Sequence, residues 1–177
     1  AEEGAPEPAE GSGGSGSARA SGEVAITGVY GPETVNEDVF EELSLGEVVV
    51  SEVQRVWAAF MRNAESREAA GEAIYAAFFD AAPSLQNLFK TPRGVMTVRI
   101  IAGLNQIVNA LADPKALKAL VEIIGFQHLA LEVTSPRVAV FRDAIVDLLQ
   151  AEVGDALTPT ARTGWLTVLN YCGGAYI

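Results

Sequence analysis

Cysteine and histidine occur once each in this 177-residue chain, and each scarcity excludes chemistry. One Cys rules out a disulfide framework and a thiolate metal cluster. One His rules out a two-histidine zinc site and leaves any Ser-His-Asp triad resting on a single imidazole. No stretch of about 18 uninterrupted apolar residues occurs, so no transmembrane segment is expected. Basic charge is scarce too, with 12 Lys and Arg against 23 Asp and Glu. A duplex-binding surface needs a basic face, so no nucleic acid partner is expected. No glycine-rich loop follows a strand, which removes the usual nucleotide cradle. Asp143 and Asp147 are spaced i, i+4 and read as solvent-facing, so no acid–base pair stands out for an enzyme.

What is present is unevenly distributed. Residues 1–46 hold ten acids and one base, a balance of −9, whereas residues 47–177 hold thirteen acids and eleven bases, a balance of −2. Apart from Arg19, residues 1–22 are Gly, Ser, Pro, Ala and Glu, with no large apolar side chain. Such a composition buries too little surface to offset its ordering entropy. The expectation is a flexible acidic tail or linker over 1–22, native or added, with GSGGSGS as a swivel. The chain opens on Ala, which suggests processing or a cut from a longer protein. Residues 23–46 read as an N-terminal extension packing on the core. VAITGVY suits a short extended piece and GPETVNEDVFEEL a short acidic helix. Val35, Val39, Phe40 and Leu43 would lie on one side of that helix. The acidic N-terminal region also leaves room for a protein partner or larger assembly.

From residue 47 the apolar residues recur every three or four positions. Examples are Val53, Val56, Trp57, Phe60 and Met61, then Ile100, Ile101, Leu104, Ile107, Val108 and Leu111. Each such stripe fits a helix that buries one face. The period predicts helices near 47–63, 69–81, 83–89, 92–111, 114–129, 136–152 and 159–173. Thr91-Pro92, Asp113-Pro114, Ser135-Pro136 and Thr158-Pro159 share one design. Each offers a side-chain acceptor at the N-cap and Pro at the first helical position. Gly173 and Gly174 are expected to weaken or end the last helix. The fold class is all-α, with one domain over 47–177.

A Trp in the first helix followed by AGEAIYAAFFDAAPSLQNLF is similar to the opening of globins. There a second helix runs into a Pro-containing short helix that ends in Leu-Phe. IIGFQHLALEVTSPRVAVFRDAIVDLLQAEVGDALTPTARTGWLTVL also resembles that family, with a late His, a corner, a long apolar helix and a Thr-Pro start before a Trp. The resemblance spans about residues 47–173. It implies haem b (iron protoporphyrin) held by a proximal His, with oxygen or another diatomic gas bound at the iron for storage, transport, sensing or redox chemistry.

Carried over residue by residue, His128 takes the metal position and Phe89 the aromatic one at the start of the corner. Tyr75 takes the second-helix position aimed at bound ligand, and Met96 the distal position, with Arg99 and Ile100 one turn on. Ile124, Val133 and Phe141 would complete an apolar wall. A neutral imidazole is a good iron ligand once its other nitrogen is oriented by an acceptor, here a backbone carbonyl near Ile124. Met96, Arg99 and Ile100 share one helix face. Second readings stand beside these. Tyr75 also suits a core position, Met96 also suits a core filler or a sixth ligand, and Arg99 also suits a solvated charge or a contact to a propionate. Cys172 suits the core, or a covalent bilin as in light-harvesting relatives of the globin arrangement.

The connection from Phe89 to Met96 is only six residues, shorter than familiar globins have, and the usual distal His is absent. Those departures support an alternative: a haem-free globin-like domain acting as an interaction, sensor or structural module. An accidental likeness would instead give an up-and-down bundle of sequential neighbours. A soluble protein is expected, cytoplasmic or organellar.

Overall fold

The computed structural model describes residues 26, 27 and 29–177. The tail expected over 1–22 lies outside the described residues. Six α-helices carry the fold: α1 Glu47–Asn63, α2 Arg67–Ala81, α3 Arg93–Ala110, α4 Pro114–Phe126, α5 Ser135–Val153 and α6 Pro159–Gly174. Short 3-10 segments at Pro83–Leu88 and Gly154–Ala156 join them. A two-residue antiparallel ladder, β1 Ile26–Thr27 and β2 Ser44–Leu45, pairs Ile26 with Leu45 and Thr27 with Ser44. The all-α reading holds.

The helix starts follow local chemistry. Asp113 accepts from the Lys115 and Ala116 amides, and Thr158 Oγ accepts from Ala161 N, both with Pro next in line. Two expected caps are corrected. Pro92 itself is the extended N-cap residue of α3, its carbonyl taking the Val95 and Met96 amides, so Thr91 lies outside the helix. Thr134, not Ser135, precedes α5, and Ser135 Oγ instead donates to Glu37 at 2.7 Å. Ser66 supplies a cap that the sequence reading passed over, and α2 starts at Arg67.

The path is not an up-and-down bundle. α2 packs across α3 and also on α5, and α1 packs on α6; the last two pairs are distant in sequence. Gly71 permits the first crossing, because a Cβ there would sit 2.7 Å from the Thr97 carbonyl oxygen. At the α1–α6 contact, Trp57 and Trp165 approach to 5.8 Å between ring centroids, with Phe60 5.6 Å from Trp57. All three are buried. Each fully buried large apolar side chain contributes roughly 1.5–3 kcal/mol, so this seam is a principal source of stability.

The acidic helix expected within residues 31–43 does not form. Side chains capture the backbone instead. Asn36 Oδ1 accepts from the Asp38 and Val39 amides, an Asx turn, while Tyr30 OH donates to the Val39 carbonyl and accepts from Glu41 N. The segment wraps α6 as a collar. Tyr30 meets Tyr171 edge-on at 4.8 Å, Phe40 stacks on Tyr171 at 5.3 Å, and Tyr171 OH donates to the Glu41 carbonyl. Asn170 Nδ2 donates to the Gly31 and Pro32 carbonyls, and its Oδ1 accepts from Arg142 of α5.

α6 ends at Gly174, as expected, and both glycines lie buried within its last turn against the collar and α5. A side chain at 173 would strike Val138, and one at 174 would strike the Asn36 backbone carbonyl. The two glycines thus permit close packing at the point where the helix ends.

Candidate functional site

α4 buries Leu117 and Val121, then tightens at its end. Gln127 N bonds Ile124 O, and His128 N bonds Gly125 O at 2.8 Å, both three-residue spans. Hence α4 stops at Phe126 rather than 129, and His128 sits on the turn just past it, half-buried. Its Nδ1 lies 2.9 Å from the Ile124 carbonyl, the acceptor expected one turn earlier. A carbonyl only accepts, so Nδ1 carries a proton, and in the neutral ring the lone pair is then on Nε2. No hydrogen bond engages Nε2 among the described residues.

Two further contacts fix this turn, and neither was visible in the sequence. The His128 ring stacks on Tyr176, with centroids 4.6 Å apart and planes 10° apart. Beyond His128, the Leu131 amide bonds the His128 carbonyl. Glu132 then takes φ 47°, a left-handed conformation that costs a non-glycine residue roughly 1 kcal/mol. Arg137 of α5 holds the strained corner by donating Nη1 to the Leu131 and Glu132 carbonyls at 3.2 and 2.5 Å. The only local signal was an Arg two residues inside α5; the Tyr176 contact joins residues 48 apart and has no local signature.

α3 carries Met96 and Ile100 half-buried and Arg99 exposed. Ile100, Ile124 and Phe141 pack against the main core from its margin, and Val133 is half-buried on the corner. Phe89 is also half-buried. It meets Phe78 at 6.3 Å and Phe79 at 5.1 Å edge-on, while Phe141 meets Phe78 at 5.2 Å. Tyr75 is tilted on Phe79 at 4.5 Å, and the Arg93 guanidinium lies 4.8 Å over its ring. Arg93 in turn pairs with Glu72. Thus the structure brings Phe89 and Phe141 into one aromatic cluster and holds Tyr75 at its edge.

Burial pushes the Cys172 thiol up to about 12, so it stays protonated and behaves as a core residue rather than a nucleophile. Burial likewise raises the Tyr176 phenol, with the nearby Cys172 as a lesser cause. No group of three His, Cys, Asp or Glu side chains able to hold a metal ion occurs among the described residues. No described helix is long and apolar enough to cross a membrane. A cavity of about 210 Å³ opens on the outer side of Tyr176, between Phe40, Gly125, Phe126, Leu129 and Ile177.

The fold and this site define an all-helical protein whose single imidazole is braced at the end of one helix with a ring nitrogen left open. The family model described as Globin matches residues 72–175, more than half the chain. The chain belongs to the globin family. No curated protein matches it.

Proposed function

We propose that this globin binds haem b, and through it oxygen or another diatomic gas, with His128 as the axial ligand. The observation that carries the reading is the Nδ1 hydrogen bond to Ile124 O at 2.9 Å. It selects the tautomer whose Nε2 lone pair is available to iron, and an oriented, hydrogen-bonded imidazole is the more basic ligand.

The side chains that the family likeness assigns to the pocket suit a flat apolar ring bearing iron. Ile100, Ile124, Val133 and Phe141 are half-buried hydrocarbon, the state of a crevice wall that a planar ligand would finish covering. Met96 adds a pliable thioether to the α3 side. Arg99 is exposed and long enough to reach a propionate at the rim. Phe89 lies at the margin of the aromatic cluster and offers its free side as packing surface. Tyr75, at the edge of the same cluster, is the phenol that the family likeness would aim at a bound gas. When bound, haem supplies the reversible capture of a diatomic ligand at its iron. The protein's part is to hold the imidazole, exclude water with the apolar wall and keep the corner in place through Arg137.

Hemin added to purified protein is expected to produce a Soret band that His128→Ala weakens. No spectral change with the unaltered chain would end this reading.

One observation favours a second reading, a haem-free module for protein interaction or sensing. Tyr75 and Phe89 already have protein partners, and the cavity beside Tyr176, about 210 Å³, is smaller than the roughly 300–1,000 Å³ of sites that enclose a drug-sized ligand. The same titration separates the two readings, because the module predicts no Soret band at any hemin concentration.

A further inference from the structure

We infer that Tyr176 is a positioning residue for His128, setting the plane of the imidazole; the inference rests on the reading of His128 as an axial ligand. The hydrogen bond to Ile124 O fixes one atom of the ring, and the ring can still swing about that anchor. Stacking removes the swing, because Tyr176 lies parallel to the imidazole within 10° at 4.6 Å. A face contact leaves the in-plane Nε2 lone pair unobstructed. The two contacts therefore fix both the direction of the lone pair and the ring plane, while blocking neither.

Tyr176 is itself held. Its amide bonds the Gly173 carbonyl, and its ring lies close enough to Gly125 that a Cβ there would sit 3.3 Å from Cδ1. Gly125 thus gives the ring room against the last turn of α4, directly before the turn that bears His128. The phenol oxygen is buried with no hydrogen-bond partner beyond the neighbouring thiol, so the ring and not the hydroxyl carries the effect. That distinction makes the proposal testable by rescue.

The experiment uses the full chain, unaltered and as Tyr176→Phe and Tyr176→Leu. In haem-free protein, the His128 ring protons and nitrogens are followed by NMR. The Tyr and Phe forms should give upfield-shifted ring protons and an Nδ1–H tautomer, and the Leu form should lose the upfield shift. Outer-shell changes typically cost about 10–100-fold in metal affinity, so hemin should bind Tyr176→Leu about tenfold more weakly, with Tyr176→Phe within about twofold of the unaltered chain.

Unchanged His128 signals together with unchanged hemin affinity in Tyr176→Leu would overturn the inference. So would a Phe form that behaves like the Leu form, since the ring would then not suffice. If the unaltered chain takes up no hemin, the proposed function fails, yet the haem-free spectra still decide whether Tyr176 orients the imidazole. If Tyr176→Leu does not fold, Gly125→Ala presses on the Tyr176 ring, which must give by a few tenths of an ångström, while favouring the helix. His128 signals indifferent to that change would also refute the inference.

Discussion

Along α1 and α6 the side chains interlock. Trp57, Phe60, Val53, Val56, Trp165 and Val168 are all nearly inaccessible to water. Around His128 the same kinds of residue stand open, with Phe126 73% exposed, Leu129 76% and Ile123 59%. Both halves come from one hydrophobic period, so composition does not separate them. Packing does. Segments with few buried contacts open at lower free energy than the global unfolding, and sites that admit ligands are drawn from that end. The α1–α6 half is where burial is concentrated, and the end of α4 with the turn after it is where large apolar side chains stand open.

Breaking the tight half should produce the largest effect. Trp165→Ala leaves a cavity in the seam and should cost about 3–5 kcal/mol in urea unfolding. Gly174→Ala forces a methyl against the Asn36 carbonyl, so a loss of about 1–3 kcal/mol is expected, with faster amide exchange in residues 30–41. Glu132→Gly relieves the left-handed strain while Arg137 keeps its carbonyl contacts, and should raise stability by about 1 kcal/mol. In the open half, Phe126→Ser and Leu129→Ser should each stay within about 0.5 kcal/mol of the parent, since little is buried there. A cost above 2 kcal/mol at either position would erase the contrast.

The smallest effect concerns pH. Hydrogen bonds from Arg55, then Thr158, hold the Glu52 carboxyl below its ordinary value of 4.5. A carboxyl lowered on folding contributes stability that is complete above its unfolded pKa and fades as pH falls through its folded pKa. Stability should therefore decline slightly below about pH 4.5, and Glu52→Gln should flatten that part of the profile.

The helices were legible in the sequence because each buries one face of a 3.6-residue period. Their starts were half legible: Asp113 and Thr158 cap as Pro-linked acceptors should, but Thr91 and Ser135 are displaced by one residue each. His128 and its carbonyl partner were legible, since both lie within five residues of one helix end. The collar was not, because an acidic helix and a side-chain-captured loop share the same composition. Nor were the roles of Gly173, Gly174 and Tyr176, which depend on residues that arrive from elsewhere in the chain.

Asn170 has a consequence for how the collar leaves the body. Its amide group bridges α5 and the Gly31–Pro32 carbonyls from a buried position on α6. Peeling the segment away would strand that amide and two carbonyls together, so detachment is expected in a single event rather than residue by residue. Deuterium uptake across residues 30–41 should accordingly rise in one step, on a timescale separate from the turn that bears the imidazole.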